Sequence, residues 1–434
     1  MHILIYSYNY YPEPIGIAPL MTELAEGLVA QGHTVRVITG MPNYPEREVY
    51  QEYRHKWYVT ETRNGVTIQR CFLRIKSKPN LLDRLLLELS FVASSLPQAL
   101  KGWRPDVIFV TVPPLFVTLP AFFLGCFYSC PVLLNVQDIL TEAAKNVGLI
   151  QNQWMIRALS SLEKFAYKNA HSISVIAEDF IEHLVKKNVN FQKISCISNW
   201  VNVDFIRPLP KLNNPFRIAH NLEDKFVVLY SGNIALTQGL ETAIASAASL
   251  QNIPEIVFVI VGEVQALENL KKCCRQYNAE NVLLLPLQAR ENLPQMLAAA
   301  DVGLILQKCN VVCFNMPSKI PLLLASNRPI IASVPSQGTA AKAVRESGGG
   351  IVVAPESPQA LAEAILDLYK NSAKALELGE KGRKFAIAQY SFENALAKYE
   401  ALFADAIASQ ASDLQAIPKL ATRQSIITSK PRLY

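Results

Sequence analysis

The sequence predicts an α/β chain of two doubly wound, Rossmann-like domains facing one another across a cleft. Two segments open alike: MHILIYSYNYYPEPIGIAPLMTELAEGLVAQGHTVRVITG at the start, and KFVVLYSGNIALTQGLETAIASAASLQNIPEIVFVIVGE from Lys225. Each runs from an apolar strand through a glycine-containing loop and an amphipathic helix to a second apolar strand. Leu20, Leu24, Leu28 and Val29 recur at helical spacing in the first, and Leu240, Ile244, Ala247 and Ala248 in the second. Strands so continuously apolar belong to parallel sheets covered on both faces. Ligands of such sheets sit beyond the carboxyl ends of the strands, at a topological switch point. Two facing rims therefore suit a donor and an acceptor held together for group transfer.

Strands are expected at 2–7, 34–39, 106–111, 131–136, 172–177 and 194–198, with helices between most of them, and form a first domain over 1–198. The proline- and asparagine-rich stretch at 199–224 breaks the periodicity and reads as a linker. A second domain spans 225–384, with strands at 226–231, 256–261, 282–285, 302–306, 329–333 and 351–353. Helical patterning continues to about 404; 385–408 forms a last helix, and 409–434 reads as a poorly ordered tail. The apolar run from Leu115 to Tyr128 is too short to span a bilayer and reads as a buried helix.

Composition narrows the class. The 434 residues are 50% hydrophobic and 18% charged, with a net charge of +6. That length holds two or three domains with their own cores. The charge is too mild for a nucleic-acid partner, but it suits phosphate-bearing ligands or an anionic membrane surface. The eight cysteines lack zinc, redox or secreted-domain spacing and read as reduced thiols. The first strand begins at once, without the basic segment of a signal peptide, so a cytoplasmic location is expected.

NMPSKIPLLLASNRPIIASVP carries the densest chemistry. A helix starting near Pro317 and Ser318 has free amides at its positive end, and Lys319 adds a full charge, which together make a phosphate site. The alternative is an ordinary surface lysine. Ser231-Gly232-Asn233 through Gln238-Gly239 follows the second domain's first strand; Gly232 lets backbone approach a ligand, and the amides after it can cradle a diphosphate, unless the loop is only a tight turn. Gly16 and Ile17 hold the matching place in the first domain. Asp138 closes an apolar strand, where a carboxylate can hold an acceptor hydroxyl or cap the next helix. Glu178 is a second rim carboxylate. None of the six histidines reads as catalytic; His33, in a turn between helix and strand, and His171, at the start of a strand, read as structural. In residues 70–95, Leu82, Leu85, Leu86, Leu89 and Val92 mark one helical face downstream of Arg70, Arg74, Lys76 and Lys78, with Arg84 between them. This is either a peripheral membrane contact or a core helix with a basic loop.

GIAPLMTELAEGLVAQGHTVRVIT, NVQD, CISNWVNVDFIRP, LYSGNIALTQGLE and above all MPSK followed by RPIIASVP resemble the bacterial family 4 glycosyltransferases, in the colanic-acid fucosyltransferase-like branch, over about residues 1–405. The resemblance implies a GT-B fold: an acceptor-binding first domain, a second domain that binds a nucleotide-diphosphate sugar, and a last helix around Phe392 to Phe403 that crosses back onto the first. It also implies retaining transfer by front-side displacement, without metal or cofactor, onto a glycan acceptor that is lipid-linked, in exopolysaccharide or other cell-surface polysaccharide synthesis at the inner face of the plasma membrane. Lys319 and Asp138 become the candidate catalytic residues. Gly16, Ile17, Gly232, Asn233, Gln238, Gly239, Pro317, Ser318 and Lys319 would hold the donor, and Asp138 and Glu178 the acceptor.

The chain also departs from that pattern. Many relatives carry an arginine and a lysine where this chain has Asn233 and Gln238, and a glutamate pair where it has Phe314 and Leu322. Gln137 replaces a histidine that often precedes the aspartate. Lys319 is left as the best partner for a diphosphate. A glycosyltransferase-like scaffold without turnover, or a nucleotide-sugar 2-epimerase of the same fold, are the competing readings.

Overall fold

The computed structural model describes residues 1–434 apart from 15, 45, 78, 140, 142–151, 236, 313–315 and 417–434. The first half runs β1 (His2–Tyr6), α1 (Ala18–Ala30), β2 (Thr34–Gly40), β3 (Tyr58–Arg63), β4 (Val66–Cys71), α2 (Leu81–Ala99), β5 (Val107–Val112), α3 (Thr118–Tyr128), β6 (Val132–Val136), α4 (Gln153–Asn169), β7 (Ser172–Val175), α5 (Glu178–Lys186) and β8 (Ile194–Cys196). These strands pair in the order β3-β4-β2-β1-β5-β6-β7-β8, parallel except for β3. The chain leaves β1 toward β2 but travels the opposite way from β4 through β8. Right-handed crossovers then place α1 on one face of the sheet and α2 to α5 on the other.

The sequence reading missed the β3–β4 hairpin. Its turn is Asn64-Gly65, both with positive φ (45° and 80°), a pairing suited to a two-residue hairpin turn. The hairpin takes Arg70 out of the expected basic stretch: it is fully buried on β4, where it pairs with Glu61 and lies over the Tyr53 ring, while Arg74 and Lys76 stay exposed in the connection to α2. A second correction concerns the run Leu115 to Tyr128, which was expected to be buried. In α3 only one side is buried; Leu119, Phe123 and Phe127 face solvent.

The second half comprises α6 (Pro215–Ala219), β9 (Phe226–Ser231), α7 (Glu241–Ser249), β10 (Ile256–Gly262), α8 (Val264–Tyr277), β11 (Val282–Pro286), α9 (Leu293–Ala299), β12 (Val302–Leu306), α10 (Lys319–Ala325), β13 (Ile330–Ser333), α11 (Thr339–Ser347), β14 (Gly350–Val353), α12 (Pro358–Lys370), α13 (Ser372–Gln389) and α14 (Phe392–Ala416). Its six strands are all parallel, in the order β11-β10-β9-β12-β13-β14.

The segment between the halves is well anchored. Trp200 is buried and donates to Glu23 on α1 (2.9 Å), while Arg217 donates to the Ala299 carbonyl and pairs with Asp301 at 2.6 Å. After α13, the chain turns at Tyr390 and Ser391 beside Val201. From there α14 packs on the first half, with Tyr399 and Phe403 against Phe109 of β5. His33 bonds Glu400 of this helix at 2.9 Å, which accounts for it structurally. The helix continues to Ala416, beyond residue 409 where the tail was expected, and 417–434 lies outside the described residues.

Candidate active site

In the second sheet the chain reverses direction between β9 and β12, so the crevice beyond their carboxyl ends is the switch point. β9 ends at Ser231 and leads into Gly232, whose φ of +118° an L side chain rarely adopts. Tyr230 donates to the Asn233 carbonyl at 2.7 Å and pins the turn. Past β12, the amide of Lys308 donates to the Thr237 carbonyl at 2.8 Å, so that strand's end clamps the far side of the same loop.

Two lysines lie against the two glycines of this loop. A Cβ on Gly232 would stand 3.1 Å from Lys319 Cε and 3.6 Å from its Nζ. A Cβ on Gly239, whose φ is +60°, would stand 3.2 Å from Lys308 Cγ. Lys319 opens α10 with its ammonium 4.6 Å from the centre of the Tyr230 ring, and no carboxylate pairs with it among the described residues. Burial holds its amine down at about 8. Such a cation lacks the counter-charge that a buried ion normally finds, which an anionic ligand would supply. Beneath it lies a small, largely apolar cavity lined by Leu229, Leu297, Leu322 and Leu323. Leu322 thus offers hydrocarbon where relatives place a glutamate; Phe314, the other such position, lies outside the described residues.

The remaining donor candidates surround this pair. Gln238 is half-buried, and its Oε1 has no partner among the described residues. Pro317 accepts from the Ile320 amide, and Ser318 is exposed, with no side-chain cap bond to α10. That helix has seven residues, so the lysine and glycine geometry outweighs any helix-end dipole. Lys308 was missed by sequence reasoning because LILQKCN carries no motif. The signal that could have found it was its place directly after a strand flanking the switch point.

The other candidates sit on the first half's rim. Gly16 has φ +71° and is exposed, a Cβ there would meet nothing within 4 Å, and Ile17 caps α1. Glu13, nearly buried, accepts from the amides of Asn43 (2.8 Å) and Tyr44 (2.9 Å) and from Asn9 (2.6 Å), and burial raises its carboxyl. This fixes a loop from which Tyr44 reaches Glu263 of the other half at 3.4 Å. Asp138 is half-buried just past β6, and burial pushes its carboxyl up to about 7. A chain of amides anchors this strand end: Asn199 donates to Gln137 (2.7 Å), Gln137 to Asn135 (2.6 Å), and Asn135 to Tyr399 of α14 (3.1 Å). The segment that Asp138 would cap lies largely outside the described residues. Glu178 is exposed on the rim at the start of α5, where Lys342 of α11 reaches across to it and to the less exposed Asp179, at 3.2 Å each. Arg290 and Glu23 add another contact between the halves at 3.5 Å. The structure therefore gathers Gly232, Asn233, Gln238, Gly239, Lys308 and Lys319 at one switch point, and leaves Gly16, Ile17, Asp138 and Glu178 on the other rim.

Comparison with known proteins agrees with this architecture. Residues 16–200 match the glycosyl transferase 4-like domain, and residues 213–385 the glycosyl transferases group 1. The chain is 30% identical over 395 residues to WcaI, a glycosyl transferase assigned to colanic acid biosynthesis in Escherichia coli K12, covering 88% of this chain and 96% of that protein. It is 27% identical to the glycosyltransferase WbjE of Pseudomonas aeruginosa, covering 71% of this chain and 78% of that one. Among solved structures, sucrose-phosphate synthase from Thermosynechococcus elongatus superposes with a TM-score of 0.72 at 17% identity, over 94% of this chain and 100% of that one. HepE of Anabaena, in complex with UDP and glucose, does so at 0.70 and 15%, over 93% and 100%. The two parallel sheets, the returning last helix and the matches to both halves make this chain a GT-B glycosyltransferase of the group 1, family 4-like family.

Proposed function

We propose that the protein is a retaining glycosyltransferase that moves a sugar from a nucleotide-diphosphate donor to a lipid-linked glycan during cell-surface polysaccharide synthesis, at the inner face of the plasma membrane. The observation that carries this reading is Lys319: a cation held half-buried without a carboxylate, against a glycine of left-handed backbone, at the second sheet's switch point. A leaving diphosphate needs positive charge where its negative charge develops, and a preorganised cation in a partly dry site supplies it. Lys319 takes that role, Lys308 lies on the other side of the loop, and the amides after Gly232 frame the phosphates. HepE, of the same fold, was solved with UDP-glucose, which supports a nucleotide-sugar donor here. The acceptor hydroxyl bonds to the anomeric carbon from the side on which the phosphate departs, and its proton passes to the departing phosphate oxygen. No enzyme nucleophile and no metal take part, so a chelator should leave turnover unchanged. Asp138, at the opposite rim, holds the acceptor. WcaI, assigned to colanic acid biosynthesis, supports the polysaccharide reading.

A thermal-shift panel of UDP, GDP, ADP and TDP with their sugar conjugates tests the donor site, because a ligand that binds only the folded state raises the melting temperature. The expected result is a shift with one nucleotide class that disappears in Lys319→Ala. A shift unchanged in that variant would remove Lys319 from the site. Conversion of the sugar nucleotide alone would instead mark an epimerase.

A further inference from the structure

The face of the first sheet that carries α2, α3 and α4 leaves an apolar surface in water. On α3 the solvent-facing large side chains are Leu119, Phe123 and Phe127, four residues apart, so they line one stripe. The rings of Phe123 and Phe127 stack 6.2 Å apart, and α3 carries no charged residue. The surface continues onto α4. Buried Phe122 meets Phe165 edge-on at 5.8 Å, and Phe165 and Trp154 are 44% and 75% exposed. Adjacent apolar exposure of this kind marks an interaction surface.

Its border is basic. The exposed charged residues of α4 are Arg157, Lys164 and Lys168, with Arg157 lying 5.2 Å over the Trp154 ring. The acid on that helix, Glu163, is buried and pairs with Lys187 at 2.5 Å. Arg84 is exposed on α2, where Asp83 is already held by Lys76 and Asn80. On α3 and α4 the aromatic side chains have cations beside them and no exposed acid, and such a surface complements an anionic, apolar-cored one. A second copy of the chain would bring the same cations against these.

We propose that this face docks on an anionic phospholipid bilayer, with the α3 stripe in the headgroup and upper acyl region and the α4 cations on lipid phosphates. No helix among the described residues is long and apolar enough to cross a membrane, so the contact is peripheral. The inference relocates the contact expected for residues 70–95: Arg70 is buried, and the centre moves to α3 and α4. It deepens the proposed placement at the plasma membrane by naming the surface that makes the contact, and it does not depend on the donor site.

Flotation of the full chain with phosphatidylcholine vesicles, with and without phosphatidylglycerol, tests it. The wild type is expected to float with the anionic vesicles, to shift its Trp154 emission to the blue, and to release as salt is raised. Phe123→Ser/Phe127→Ser should weaken flotation on the order of tenfold or more. Arg157→Glu/Lys164→Glu/Lys168→Glu should abolish the preference for anionic lipid. Both sets lie on the surface, so melting temperatures and nucleotide-induced shifts should stay at wild-type values, which separates failure here from failure of the donor site. A wild type that does not float, or variants that float equally well, would overturn the inference. So would Phe123→Ser/Phe127→Ser dissolving a dimer in sedimentation while leaving flotation intact.

Discussion

The Lys319 side chain lies across the bare backbone of Gly232, so closely that a single added methyl group would stand 3.1 Å from its Cε. The strand end and the helix start are thereby fitted to each other at the switch point. Gly232→Ala would both strain a backbone at φ +118° and push the amine aside. The expected outcome is a stability loss of about 1–2 kcal/mol and a loss of nucleotide binding larger than that strain explains. Calorimetry of the nucleotide found in the thermal-shift panel, compared with the denaturation midpoint, separates the two effects. Full affinity in the variant would show that the amine's position is not set by the glycine.

Lys319 predicts an alkaline limb. Its amine titrates at about 8, lowered by burial, and is charged below that pH. If the charge is required, kcat/KM, which reports the free enzyme, falls as pH rises through about 8. The limb in kcat should lie higher, because bound diphosphate favours the protonated amine. Lys319→Arg should remove the limb from the measurable range while retaining part of the activity, since guanidinium stays charged. An unchanged limb in the arginine variant would assign it to another group.

Asp138 gives the opposite sign in stability. Burial raises its carboxyl from 3.8 to about 7, so between those values the folded state holds more protons than the unfolded chain. Stability therefore falls as pH rises through that window, and the full penalty is present above about 7. Asp138→Asn removes it, by no more than about 4 kcal/mol. The gain in melting temperature should be clear at pH 8 and small near pH 4. A gain equal at both would mean that the carboxyl is not shifted.

The two sheets were legible because their strands are continuous apolar runs and their helices repeat at 3.6 residues, signals that do not depend on distant contacts. The β3–β4 hairpin was not read, since TETRNGVTIQRC alternates weakly and its Arg70 looks like a surface residue until Glu61 and Tyr53 are seen to enclose it. Gly232 and Lys319 were visible as residue types at a strand end and a helix start. Their contact was not, because it joins positions far apart in the chain. Lys308 needed the strand order, which sequence alone did not supply. The pairing of Glu178 with Lys342 was hidden for the same reason: its partner comes from the other half.

The return of α14 onto the first half rests on another glycine. Gly27 of α1 sits where a Cβ would meet Phe392 Cζ at 2.5 Å and Leu396 Cδ2 at 3.3 Å, so the two helices approach closely only because that position is bare. Gly27→Ala gains helix propensity of about 1 kcal/mol while forcing the end of the Phe392 ring to shift, and the two effects should nearly cancel. Gly27→Leu has no such balance and should lose about 1–3 kcal/mol by overpacking, with faster proteolysis within α14. Adding Phe392→Ala to Gly27→Leu opens space for the larger side chain. The double variant should therefore be more stable than the sum of the single losses predicts, a coupling that denaturant unfolding can measure. Strictly additive losses would show that the Gly27–Phe392 contact contributes nothing to the docking of α14.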